Sequence, residues 1–197
     1  MKNVGIALGF GALIFTALSF TNSVSKMDLA TKDPKVQWMS FEEAVKKSQT
    51  APRKIMIDLY TNWCGWCKRM DKDTFEDEDV ANYLNENYYN VKFDAEYKED
   101  IIFNGQTYKY VKNGRRGYHE LAAELANGRL SFPTTVFLDE KQRLIQPLPG
   151  YKEPDVFEQI ITYFGEDMHK KMPWEKYQRT YKKKLNLEPI EATPVKN

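Results

Sequence analysis

Along most of the chain the apolar positions recur with a period that identifies the element. Lys54-Ile55-Met56-Ile57-Asp58-Leu59-Tyr60 is almost continuously apolar over the length of a strand, the pattern of a strand buried on both faces. Tyr88 to Asp94 and Thr134 to Leu138 predict two further strands. A turn at Asp139-Glu140-Lys141-Gln142 leads into a short strand, Arg143 to Pro147, whose prolines suit a sheet edge. Helices alternate with these runs. Ser40 with Glu43 forms a capping box that opens a helix from Phe41 to about Ser48, ended by Thr50-Ala51-Pro52. Val80, Tyr83 and Leu84 share one face of a helix from about Glu78 to Asn87. His119 to Ala126 is helical and stops at Asn127-Gly128. Pro154-Asp155 opens a helix to about Phe164, with Val156, Phe157, Ile160, Ile161 and Phe164 at helical spacing. A basic, aromatic helix is predicted from Trp174 to Leu185, and Glu188 to Asn197 reads as a frayed tail. The helix between the first two strands implies parallel pairing, and the short turn between the last two implies a hairpin. The result is an α/β fold, a mixed central sheet with helices on both faces.

Two segments fall outside that frame. Between Glu96 and Tyr118 the chain is rich in Gly, Asn, Lys, Arg and Tyr, with turn signals at Asn104-Gly105 and Asn113-Gly114. A small hairpin or an elaborated loop is expected there. At the start, Lys2 precedes an apolar stretch from Val4 to Phe20 and then small polar residues, Thr21 to Ser25. This is the pattern of an export signal cleaved near Ser23 or Ser25, with an uncleaved membrane anchor as the alternative. Either one places the domain outside the cytoplasm, in the periplasm or cell envelope. A net charge of +1 gives no global field favouring nucleic acid or an anionic membrane. Membrane contact is therefore expected only through an uncleaved N-terminal segment.

The chain has two cysteines, and both lie in Trp63-Cys64-Gly65-Trp66-Cys67. Neither can staple a distant segment, and with two histidines no metal site is expected. The pair sits where a strand hands over to a helix that continues through Lys68-Arg69-Met70-Asp71-Lys72. The unpaired N–H groups and positive dipole end of a helix favour a thiolate at Cys64. Cys67 lies one turn on and can close a disulfide with Cys64. Cys64, at the exposed edge, is the expected nucleophile and Cys67 the resolving thiol. Half of a metal site, or an inert disulfide, is the other reading of the same spacing.

The run Ile57 to Lys68 resembles the active-site segment of the thioredoxin superfamily, and Ser131-Phe132-Pro133-Thr134-Thr135-Val136-Phe137-Leu138-Asp139 resembles that family's cis-proline loop. The resemblance covers roughly Phe41 to Phe164. Through Lys68-Arg69-Met70-Asp71 and Thr74-Phe75 it is strongest to thioredoxin-related proteins of bacterial envelopes. It implies a thioredoxin-like domain over 40–165, preceded by a signal or anchor (1–25) and a linker (26–39). A helical extension and tail would follow (166–197). It implies that Pro133 forms a cis bond after Phe132 and, with Phe132, Trp63 and Trp66, presents the substrate-binding surface. It implies that Asp58 is a buried acid that takes the proton of Cys67 through water, with a raised pKa suited to the task. Lys92 matches the family's partner of that acid or is a solvent-facing lysine. Trp66 stands where thioredoxins proper have proline, which leaves the direction of electron flow open. His119 and His169 are expected at the surface. Lys109, Lys112, Arg115 and Arg116 make a basic loop, solvated by default and a docking element as the alternative.

The function implied is a protein-disulfide oxidoreductase, acting as a reductase through the Cys-Gly-Trp-Cys dithiol with no cofactor beyond the Cys64–Cys67 disulfide. Exported proteins with cysteines would be its substrates, a membrane protein its electron donor, and nucleic acid no partner. The alternatives are a thioredoxin-fold chaperone or binding module for exported proteins, and a dithiol that delivers copper.

Overall fold

A computed structural model describes residues 35–182. The predicted export segment and the C-terminal tail lie outside the described residues. The first half of the fold runs β1 (Trp38–Met39), α1 (Phe41–Thr50), β2 (Lys54–Tyr60), α2 (Gly65–Asp73), α3 (Glu78–Asn87) and β3 (Tyr88–Asp94). Two hairpins follow, β4 (Ile101–Phe103) with β5 (Gln106–Tyr108) and β6 (Tyr110–Asn113) with β7 (Arg116–His119). The second half is α4 (Glu120–Leu125), β8 (Thr134–Leu138), β9 (Leu144–Pro149), α5 (Pro154–Gly165) and α6 (Trp174–Thr180).

β2 is central because its side chains find cover on both faces. The sheet order is β1-β3-β2-β8-β9, with β2 parallel to β3 and antiparallel to β8. Strand alternation sends Ile55, Ile57 and Leu59 into one core with Phe41, Val91, Phe93, Leu121 and Val136. Met56 enters the other with Met70, Phe75, Leu84, Phe137 and Phe157. The same alternation puts Asp58 on the face of Met56. The sheet and its helices are the mixed α/β architecture predicted from the pattern, and the strands at 54–60, 88–94 and 134–138 have their predicted limits. α6 joins the second core through Tyr177, whose ring lies 5.0 Å from that of Tyr163.

Two expectations are corrected. The stretch predicted as linker up to residue 39 joins the fold at its end. Val36 is buried, and Trp38–Met39 pair with Asn90–Val91 as a fifth strand too short to show a period. The insertion, expected as a small hairpin or an elaborated loop, holds two hairpins. In the first, Asn104 and Gly105 both take positive φ (50° and 77°), the turn that matches strand twist. In the second, Asn113 pairs with Arg116, so Gly114 and Arg115 make the turn. His119 is fully buried, not at the surface. It caps α4, with Nδ1 accepting from the Leu121 N–H at 3.2 Å and Nε2 facing the Glu99 carbonyl at 3.1 Å. Its ring packs on Phe93 and Tyr97, and burial lowers its pKa. His169 is partly buried, 5.3 Å from the Phe164 ring, with its pKa lowered by burial.

The β6–β7 hairpin depends on a glycine. A Cβ on Gly117 would lie 2.3 Å from both the Val111 carbonyl oxygen and the Tyr110 hydroxyl. The first of these is backbone and cannot swing aside. Gly117→Ala is therefore expected to splay the hairpin at a cost of about 1–3 kcal/mol. Trypsin should then cut faster after Arg115 and Arg116 in the folded protein. Unchanged cleavage would contradict this packing.

Candidate active site

The C-terminal end of β2 delivers the chain to the cysteine motif. The Cys64 N–H donates to the Thr61 carbonyl at 3.0 Å, turning the strand into α2. Cys64 is then the N-cap of α2, and its Sγ accepts the Cys67 N–H at 3.1 Å. An acceptor at this position meets the N–H groups that the helix leaves unpaired, so a thiolate on Cys64 would be favoured. The two cysteines are joined in a disulfide. Cys64 keeps 5% of its surface and Cys67 2%. The exposed edge expected for Cys64 is thus corrected to a nearly closed one, of which Cys64 holds the more open side.

The exposed surface around the pair is aromatic. Trp63 and Trp66 are 48% and 55% exposed. The Trp63 ring stands edge-on to Phe132 at 6.0 Å, and the Arg116 guanidinium lies 4.1 Å over it. On the other side Trp66 packs on Tyr151 at 5.6 Å, with Arg69 5.3 Å from each ring. The Phe132–Pro133 peptide bond is cis. Thr134, the next residue, pairs with Leu59 of β2, and the Pro133 carbonyl accepts the Gly150 N–H at 2.8 Å. The structure thereby brings Trp63, Cys64, Phe132 and Pro133 to one end of the sheet.

Asp58 lies on β2 opposite Lys92 of β3 and is 1% exposed. Its Oδ2 accepts from Lys92 Nζ at 2.7 Å, whereas buried Oδ1 has no hydrogen-bond partner among the described residues. Burial pushes the Asp58 carboxyl up to about 6, against the pull of the Lys92 charge. Lys92 was open between partner and solvent-facing lysine, and the structure pairs it. Asp71 of α2 holds the same ammonium. Trp38, Tyr60 and Phe75 surround it at 5.1, 5.0 and 5.4 Å from their ring centroids. Burial pulls the Lys92 pKa down, but the two carboxylates outweigh it and leave it raised.

Sequence reasoning passed over Asp71 and Tyr151 as site residues, and named Arg116 only as part of a basic loop with docking as the alternative. Asp71 carried a signal, since it stands one helical turn after Cys67 and so shares its face. Arg116 carried a signal as part of the basic loop, but its contact with Trp63 was not legible, because it depends on how a distant hairpin folds back. Among the described residues no group of three or more His, Cys, Asp or Glu side chains could hold a metal ion.

Over 87 residues the chain is 29% identical to spermatogenesis-associated protein 20 of Rattus norvegicus, which is 44% of this chain and 11% of that protein. Over 43 residues it is 44% identical to the thiol:disulfide interchange protein DsbD of Colwellia psychrerythraea (22% of this chain, 7% of that protein). The chain spans about a tenth of the length of the curated relatives it matches. Among solved structures, a thioredoxin-fold protein from Helicobacter pylori superposes with a TM-score of 0.52 at 17% identity, covering 76% of this chain and 89% of that one. The fold is thus thioredoxin-like, as the two sequence motifs implied. The family Thioredox_DsbH, described as a protein of unknown function (DUF255), matches residues 18–178, and the chain belongs to it.

Proposed function

We propose that this protein is a thiol–disulfide oxidoreductase that reduces disulfides of exported proteins in the periplasm or cell envelope. The observation that carries the reading is the Cys64–Cys67 disulfide at the N-terminus of α2, between two half-exposed tryptophans and beside Phe132–Pro133. The apolar segment at the start of the chain and the match to thiol:disulfide interchange proteins support the location.

In the reduced protein the Cys64 thiolate attacks one sulfur of a substrate disulfide. A mixed disulfide forms and the other substrate sulfur leaves as a thiolate, which takes a proton. Cys67 then loses its proton through water, with the buried Asp58 carboxylate as the acceptor, and attacks Cys64 Sγ. The second substrate thiol departs and the Cys64–Cys67 disulfide re-forms. Two electrons have passed to the substrate, and a thiol donor in the membrane returns them. Trp63, Trp66, Phe132 and Pro133 form the surface on which the substrate segment lies.

Equilibration of the pair with glutathione buffers, read by thiol trapping, tests the direction. A potential near about −270 mV fits a reductant, and one near about −120 mV would make the protein an oxidant. Insulin reduction in the presence of dithiothreitol is expected to accelerate with the protein. A disulfide that does not cycle reversibly would remove the enzyme reading altogether.

A further inference from the structure

The β6–β7 hairpin touches the cysteine motif directly. The Arg116 guanidinium carbon lies 4.1 Å from the Trp63 ring centroid, and Trp63 stands edge-on to Phe132, so a residue of the insertion sits on the two motifs beside the disulfide. Contact with a ring leaves N–H donors of a guanidinium open, in the fork that fits a carboxylate. Among the described residues Arg116 has no carboxylate partner, and neither do Lys112 and Arg115 of the same hairpin. Thr61, Trp63, Glu96, Arg116, Tyr118 and Phe132 line a cleft of about 150 Å³ there. That is smaller than the roughly 300–1,000 Å³ of small-molecule sites and has room for a side chain.

We infer that Arg116 is a specificity-determining residue that binds an Asp or Glu side chain next to the reactive cysteine of the substrate. The inference rests on the exchange reading of the disulfide and adds the substrate class: protein disulfides flanked by acidic residues. Hairpin charge favours this occupant, since the run Lys109 to Tyr118 carries Lys109, Lys112, Arg115 and Arg116 and no acid. Lys109 is engaged with Asp100 at 3.0 Å, which leaves the other three for a ligand. Glu96, in the same cleft, opposes a second carboxylate and limits the strength of the preference.

The test is reduction of short two-cysteine peptides that carry Glu, Gln or Lys beside the cysteine, with dithiothreitol as electron source. The readout is the ratio of kcat/KM between peptides, in which any general loss of activity cancels. Wild type is expected to prefer Glu over Gln by about two- to fivefold at low salt, and less at high salt. Arg116→Gln should bring that ratio to about one, Arg116→Glu should turn the preference towards Lys, and Glu96→Gln should widen the Glu preference. A purely structural role for Arg116 cannot produce the inversion. Equal ratios in wild type and Arg116→Gln, with all peptides reduced, would overturn this inference and leave the oxidoreductase intact. Failure to reduce any peptide, together with a disulfide that does not cycle, would remove the enzyme reading and the inference with it.

Discussion

The Cys67→Ser variant is expected to accumulate a covalent complex with a disulfide substrate that reductant dissolves, and Cys64→Ser is expected to form none. The asymmetry follows from the N-cap. Cys64 Sγ faces the Cys67 N–H and the first turn of α2, whereas Cys67 lies inside the helix and is the more buried of the two. In the proposed mechanism attack by Cys64 comes first, and release depends on Cys67 being held one turn away. An intramolecular thiol so placed acts at an effective concentration far above that of any dissolved thiol. Its removal should slow release by about three orders of magnitude or more, long enough to see the complex by non-reducing electrophoresis. If Cys64→Ser traps substrate and Cys67→Ser does not, the assignment of the two cysteines is reversed.

Asp58→Asn should make the protein more stable at pH 8 by about 1–3 kcal/mol and leave stability near pH 3 almost unchanged. In the folded chain the carboxyl is raised from 3.8 to about 6 by burial, so folding favours its protonated form. The associated stability is fully present below the unfolded pKa of 3.8 and is lost as pH rises through about 6. Above that window the charged carboxylate costs the fold about 3 kcal/mol, a figure that already contains the attraction of Lys92. Asparagine carries no such charge, and Lys92 keeps Asp71 as partner. An imperfectly bonded amide offsets part of the gain. On the proposed mechanism, in which Asp58 accepts the Cys67 proton, the same variant should exchange disulfides more slowly. Urea unfolding at the two pH values, beside insulin reduction, checks both halves. A variant less stable at pH 8 than the wild type would contradict the buried-acid account.

How much of this was legible in the sequence depended on the range of the interactions involved. β2 and β8 were readable because each is apolar along its length, a property of the strand itself. The cysteine pair was readable because its chemistry lies within one helical turn. Lys92 could not be assigned from β3, where polar and apolar residues alternate and only the register against β2 puts its ammonium on Asp58. His119 looked like an ordinary helix start. Its burial comes from Phe93, Tyr97 and the Glu99 carbonyl, which the hairpins bring to it. β1 was missed because two residues are too few to show a period, and its pairing with β3 supplies what its own sequence lacks.

The edges of the sheet bear on how any partner can approach. β1 offers two residues, too short a margin for another strand to grip. β9, at the opposite margin, carries Pro147 and Pro149, which have no N–H to donate. Neither margin is a template for a visiting chain, so the sheet resists extension by edge pairing and the aggregation that follows from it. On the proposed function, a partner polypeptide would meet the sheet end-on, at the loops where Trp63 and Phe132 stand.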